Sequence, residues 1–349
     1  MQVDYIIVGI GIAGISICEQ LRANEKTFIV FDDDSQTSST IAGGLYNPVV
    51  LKRFTSVWKS TEQLELALPV YADIENRLNV KLDYKVPVYR KFASFEEQND
   101  WFTASDKPLL TKYLSTKIIK NDNEAVNADF GFGEVLDTGR IDTKTMINTY
   151  KADLLKADLL IASKFDYTEL NHKEDAVNYK NIKAKRIVFA EGSGIRYNPF
   201  FNNIPLNPAK GELLTILAPN LKINYVLKAG VFIIPLGDDL YRIGSTYEWD
   251  DLTNNITEQA RITILEKLDK IINCDYIVVN QVAGVRPAVM DRRPLIGRHK
   301  DYKNIFVLNG LGSRGVMIGP YVANQLYNFI EHDAALEKLI DIVRFTNKL

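Results

Sequence analysis

The chain has 349 residues, long enough for two domains and a large core, with 46% hydrophobic and 25% charged residues, an ordinary soluble balance. A formal net charge of -2 supplies no global field that would draw the protein to nucleic acid or to an anionic membrane. The two cysteines, Cys18 and Cys274, and the three histidines, His172, His299 and His332, lack metal-ligand spacing, which argues against a metal site and a histidine-based triad and for free or buried thiols in a reducing compartment.

The N-terminus enters a strand almost at once, without a basic leader-like region, and no run of about 20 apolar residues follows. The expected location is the cytoplasm, with no membrane span, no internal repeat and no low-complexity linker. Val3 to Val8 reads as a buried strand that runs into Gly9-Ile10-Gly11-Ile12-Ala13-Gly14 and then a helix. In this Gly-x-Gly-x-x-Gly pattern Gly9 permits the tight turn, Gly11 lets a pyrophosphate approach the backbone, and Gly14 lets helix pack on strand. The phosphates then sit at the positive end of the helix. A second strand, Thr27 to Phe31, ends in Asp32, 18 residues after Gly14, followed by Asp33. That carboxylate is placed to hold a ribose hydroxyl. A dinucleotide site is expected here.

A small-residue loop from Ser35 to Gly44 follows, then Leu45-Tyr46-Asn47-Pro48. Gly43 and Gly44 suggest close backbone approach to something flat, or a plain turn. Thr61 to Leu78 reads as a helix and Val86 to Phe92 as a strand. Ser94-Phe95-Glu96-Glu97 fits a capping box. Asp142 can cap a helix to about Lys156 with Met146, Ile147, Tyr150 and Leu154 on one side. Strands are expected at Leu159 to Ala162 and Arg186 to Ala190, the latter stopping at Glu191-Gly192-Ser193-Gly194. A β-rich section follows: Glu212 to Leu217, then Val231 to Leu236 and Leu240 to Ser245 about a hairpin turn at Gly237-Asp238-Asp239. Asn255 with Glu258 marks a helix start, with Ile262, Leu265, Leu268, Ile271 and Ile272 in helical period. Tyr276 to Val285 is a strand leading into Arg286-Pro287. Asn304 to Leu308 is the last, followed by Asn309-Gly310-Leu311-Gly312-Ser313-Arg314-Gly315 and a helix from about Val316. The chain therefore closes on a second glycine-rich strand-to-helix junction.

Several segments together carry a resemblance: Gly9–Gly14 with Asp32, Ser39-Thr40-Ile41-Ala42-Gly43-Gly44, Asp137 to Asp142, Ala190-Glu191-Gly192, Pro208-Ala209-Lys210-Gly211, Ala283 to Pro287, and Asp291 to Gly297. Along nearly its whole length the chain resembles the D-amino-acid-oxidase-like family of FAD-dependent oxidoreductases, which includes glycine and sarcosine oxidases. Asn309 to Gly315, and Gly244-Ser245-Thr246-Tyr247, are similar to one branch, the oxidase domain of the bifunctional enzyme that makes 5-methylaminomethyl-2-thiouridine in tRNA. The methyltransferase half of that enzyme has no counterpart in this sequence.

The resemblance implies an α/β fold: a discontinuous Rossmann-like FAD-binding domain at 1–48, 135–205 and 284–349, and an α+β substrate domain with a mostly antiparallel sheet at 49–134 and 206–283. It implies FAD, and with no cysteine or histidine near the presumed flavin loops the cofactor is expected to be non-covalent. The expected contacts are Gly9, Ile10, Gly11, Ala13, Gly14, Asp32, Asp33, Thr40, Gly43, Gly44, Leu45, Ala190, Glu191, Gly192, Gly310, Leu311, Gly312, Ser313, Arg314 and Gly315. A helix terminus contributes about 0.3–2 kcal/mol, so the last helix is expected to raise the flavin potential by roughly 6–40 mV.

The implied reaction is hydride transfer from the carbon beside a neutral amine to flavin N5, with the imine hydrolysed in water and oxygen or another acceptor taking the electrons. Arg286 stands where the family places a carboxylate-binding arginine. Arg314 is a second candidate, for substrate, phosphate or flavin. Tyr247 and Tyr46 either line the pocket or are core aromatics, and Lys210 either faces the flavin or lies on the surface. The substrate is then a small amino acid or secondary amine. Alternatives are oxidative removal of a carboxymethyl group from 5-carboxymethylaminomethyluridine in tRNA, with Arg292, Arg293, Arg298, His299 and Lys300 on phosphates, or a non-catalytic flavin-binding protein. No DNA partner is expected.

Overall fold

The first strand, Gln2–Val8, is apolar on both sides: Tyr5 and Ile7 enter one core, Ile6 and Val8 another. That is the pattern of a parallel strand covered on both faces. In the computed structural model, which describes residues 1–172 and 175–348, it lies at the centre of an eight-stranded sheet. Its parallel neighbours are Phe28–Asp32, then Leu160–Ala162 on one side, and Ile182–Phe189 on the other. The end of Ile182–Phe189 pairs in parallel with Ile305–Asn309, and its beginning pairs antiparallel with Val177–Tyr179. The helices Ile12–Ala23, Ser60–Leu78, Thr143–Lys156 and Gly315–His332 share one core over this sheet.

A second sheet runs in the order Ile277–Arg286, Ala209–Leu217, Leu240–Gly244, Phe232–Gly237, Val226–Lys228, Val88–Lys91, Phe132–Val135, Leu114–Ile119. It is antiparallel except where Val226–Lys228 meets Val88–Lys91. The helix Glu258–Leu268 covers one face, and Phe95–Ser105, through buried Trp101, covers the other. The fold is therefore α/β, a Rossmann-like parallel sheet joined to an α+β part with a mostly antiparallel sheet. The two sheets draw on different stretches of chain, which supports the proposed two-domain division. Because strands of the second sheet end at Val135 and Arg286, we propose boundaries just beyond them.

Local signals act as their chemistry dictates. The Ser94 hydroxyl accepts from the Glu97 amide at 3.2 Å, and the Asp142 carboxylate accepts from the Thr145 amide at 3.1 Å. Met146, Ile147, Tyr150 and Leu154 are buried below the latter cap. The expected helix start at Asn255 is corrected: Thr257 is the cap, its side chain accepting from the Ala260 amide, and the helix begins at Glu258. Its buried side carries Ala260, Ile264 and Leu268, so Ile262 is exposed, and Ile271 and Ile272 are buried beyond the helix end. The loop after Asp32 contains a short helix, Ser38–Ile41.

The first and last helices pack unusually closely. A Cβ added at Gly319 would lie 2.8 Å from Ser16 Oγ and 3.0 Å from Ile12 Cγ2. Pro320 lies within the last helix and brings no N–H, so the Val316 carbonyl loses its usual helical donor. Tyr71, from the helix Ser60–Leu78, donates its hydroxyl to that carbonyl at 2.8 Å.

Candidate active site

Both glycine-rich junctions open at the carboxyl ends of parallel strands and line one cleft between the two sheets. At the first junction Gly9 holds φ +96°, and a Cβ there would lie 2.6 Å from the Ala190 carbonyl oxygen, so only glycine suits this turn. Gly14 lies behind the wall rather than in it: its Cβ would sit 2.0 Å from Gly9 O, the close helix-on-strand packing expected of the third glycine. Ser39 bridges the loop to the junction by accepting from the Ile12 amide at 3.2 Å.

Asp32 faces the cleft, and its Oδ1 accepts from the Ile10 amide at 3.2 Å. Its Oδ2 accepts from Lys151, which also bonds Asp34 and itself lines the cleft. Burial works against the lysine's charge, but these two carboxylates outweigh it and raise its pKa. Lys151 escaped the sequence reading, although it stands one helical turn after Ile147, which lines the same cleft.

At the other end, Arg286 leaves its strand and lies across Gly211, whose added Cβ would be 1.8 Å from the guanidinium. Arg286 donates to Ser245 Oγ at 2.6 Å and to the Thr246 carbonyl at 3.3 Å, and its guanidinium stands 4.5 Å over the Tyr247 ring. Burial lowers its pKa, with Tyr247 opposing, and among the described residues no carboxylate forms a salt bridge with it. Leu45, Leu213, Phe232 and Ile234 supply apolar wall between the two ends.

Of the expected contacts, Gly9, Ile10, Gly11, Ala13, Asp32, Thr40, Gly43, Gly44, Leu45, Ala190, Glu191, Gly192, Leu311, Gly312, Ser313 and Gly315 line this cleft together with Arg286 and Tyr247. Others do not. Asp33 is exposed and accepts from the Ser35 amide at 3.0 Å. Gly310 turns behind the wall against Val289. Arg314 precedes the last helix with its guanidinium largely buried, close enough to Tyr247 and Arg292 to sense both. Tyr46 is corrected as a pocket residue: at 2% exposure it sits in the helical core, donating to Asp83 at 2.7 Å and accepting from Lys85 at 2.9 Å. Lys210 is neither on the surface nor in the cleft wall: it is 1% exposed and ion-paired with Asp251 at 2.5 Å. The expected basic run is dispersed, with Arg293 over Trp58, Arg298 over Phe329 and His299 stacked on Tyr302.

These residues fit FAD. Helix N-termini from both junctions point N–H groups at the cleft, where phosphate and the pyrimidine edge need donors. A Cβ at Gly192 or Gly312 would find nothing within 4 Å, so the backbone there is open to a close ligand. Asp32 offers the ribose an acceptor, and among the described residues no cysteine or histidine lines the wall.

Two outcomes follow from this geometry. Replacing Lys151 with Met leaves Asp32 and Asp34 without their shared cation, and FAD affinity is expected to fall about tenfold, near 1.4 kcal/mol. Fluorescence titration of apoprotein with FAD reads this directly, and an unchanged affinity would show that Asp32 is oriented without it. The second concerns Glu191, which accepts from Tyr167 at 2.5 Å and Asn198 at 2.7 Å. Burial raises its pKa from 4.5 to about 7, so the folded chain holds this proton more tightly than the unfolded chain. Its contribution to stability is therefore lost as pH rises between those values, by about 1–3 kcal/mol. Glu191→Gln should melt higher relative to the parent at pH 8 than at pH 5, and a pH-independent difference in melting temperature would refute the assignment.

Comparison with known proteins agrees with this geometry. Glycine oxidase of Bacillus subtilis (strain 168) is 21% identical over 337 residues, covering 91% of this chain and 90% of that protein. The tRNA 5-methylaminomethyl-2-thiouridine biosynthesis bifunctional protein MnmC of Campylobacter jejuni subsp. doylei is 20% identical over 313 residues, 84% of this chain but 46% of that protein. The crystal structure of glycine oxidase from Geobacillus kaustophilus shares the fold, with a TM-score of 0.79 over 97% of each chain at 15% identity. The family model described as FAD dependent oxidoreductase matches residues 4–328, nearly the whole chain, and this protein belongs to that family.

Proposed function

We propose that this enzyme oxidises the C–N bond of a small amino acid or secondary amine that carries a carboxylate. The observation that carries this reading is Arg286, a largely buried cation in the cleft wall without an acidic partner among the described residues. A guanidinium has five N–H donors, and Ser245 and Thr246 engage only part of them. The remainder suit a carboxylate, which would relieve the desolvation that now lowers the arginine's pKa. Bound FAD supplies the hydride acceptor. The chain supplies position: Gly211 lets the Arg286 guanidinium lie across its strand, Arg286 fixes one end of the substrate, and Leu213, Phe232 and Ile234 exclude water from the reacting carbon. No dedicated base is required when the amine enters neutral, and among the described residues no histidine lines the cleft. We further propose that FAD is held non-covalently.

A second reading rests on a different observation. Tyr247 and Trp249, each 55% exposed, stack with ring centroids 6.2 Å apart beside Arg286. A flat, exposed aromatic pair suits a nucleobase as well as it suits a small amine. A modified wobble uridine bearing a carboxymethylamino arm would place its base on this pair and its carboxylate on Arg286. The half-length match to the bifunctional tRNA enzymes is compatible with that substrate.

Anaerobic bleaching of the flavin tests the first reading, with glycine, sarcosine, proline and D-amino acids as reductants and full release of flavin on acid precipitation as the accompanying expectation. Arg286→Ala should weaken capture of the reducing substrate by about 2–5 kcal/mol, and unchanged kinetics in that variant would discard the arginine's role. For the second reading, binding of tRNA should weaken steeply as salt rises, and absence of salt-sensitive binding would remove it.

A further inference from the structure

Lys210 is the one lysine among the largest fully buried side chains of the described residues, and it lies outside the cleft. Its strand neighbour Gly211 faces Arg286, so Lys210 points to the opposite face of the sheet. There it meets Glu212, whose carboxylate is 3.7 Å away, and Asp251 at 2.5 Å. Glu212 is already committed: it accepts from the Thr257 amide at 2.9 Å, the Thr257 hydroxyl at 2.7 Å and Gln281 at 2.8 Å. The free arm of the lysine therefore goes to Asp251.

Asp251 belongs to residues 245–256, which form a strap beside the cleft. The strap begins with Ser245 and Thr246 on Arg286, carries Tyr247 and Trp249, and reaches Ser35, next to cleft-lining Gln36, where Asn254 donates to the Ser35 carbonyl at 3.4 Å. Lys210 holds this strap twice. Its backbone amide and carbonyl pair with those of Glu248 at 2.8 and 3.0 Å, and its ammonium holds Asp251. Asp251 and Thr253 then close a small turn, with the Thr253 amide at 2.9 Å.

We propose that Lys210 is a positioning residue that latches this strap through Asp251, and so sets Tyr247 against Arg286 and the depth of the carboxylate pocket. The lysine touches neither substrate nor cofactor. It acts on the part of the strap after Glu248, whose other hydrogen bonds are exposed, so the ion pair between buried Lys210 and half-buried Asp251 is the fastening that decides the mobility of that part. The effect on the pocket rests on the proposed role of Arg286, while the effect on the strap does not.

Asp251→Asn in the FAD-loaded protein is the test, since asparagine keeps an acceptor for the Lys210 ammonium while Glu212 remains 3.7 Å from it. Chymotrypsin should cut after Trp249 at least tenfold faster than in the parent, at a temperature well below the melting point of both. Acetate, a minimal carboxylate probe followed by its perturbation of the flavin absorbance, should bind about fivefold more weakly. Asp251→Glu should restore both. Lys210→Met, if it folds, should reproduce the asparagine variant. Parent-like cleavage and acetate binding in Asp251→Asn would overturn the proposal. If instead Arg286→Ala binds acetate as well as the parent does, the carboxylate role of Arg286 fails, and the cleavage rate alone decides whether the latch exists.

Discussion

Two helix N-termini stand side by side in this protein, and the cleft depends on it. Each helix follows a parallel strand, so both point the same way, and each carries roughly half a positive charge at its start. Like charges at close range repel, yet Gly315 and Gly319 let the last helix settle directly on Ile12 and Ser16 of the first. A diphosphate and an electron-rich ring system are anionic groups of the kind that such a pair of termini favours. Asp32, accepting from the Ile10 amide, supplies negative charge at one edge from within the chain.

The second sheet completes the cleft with large side chains and meets the loop before Leu45 closely where glycines give way to them. A Cβ at Gly43 would lie 2.8 Å from Ile234, and one at Gly284 would lie 2.7 Å from Ile41. The loop between Asp32 and Leu45 is thereby held between the two sheets. Arg242 reaches from the second sheet to the Ile41 carbonyl at 3.1 Å. The small residues of this loop leave little between the wall and a flat ligand.

Features written in local spacing were legible in the sequence, and features that depend on distant pairing were not. The fingerprint from Gly9 to Gly14, the Asp142 cap and the closing glycine-rich junction each depend on neighbours within one turn or one loop. Lys151 could have been found from Ile147 by helical spacing, because both share a face. Tyr46 could not have been placed, since its partner Asp83 comes 37 residues later. Lys210 misled for the same reason: an isolated lysine belongs at the surface, and only the fold brings Asp251, 41 residues on, to meet it. The cap at Thr257 was displaced from Asn255 because Glu212, far away in the chain, already binds the Thr257 amide and hydroxyl.

The hydroxyl of Tyr71 on the Val316 carbonyl bears on the order of assembly. Proline at 320 leaves the opening turn of the last helix short of one donor, so that turn is incomplete on its own. It becomes whole only when a helix made from residues far earlier in the chain has docked. The rear of the cleft is thus finished by a helix from early in the chain, and the two ends must meet before every carbonyl of that opening turn is satisfied.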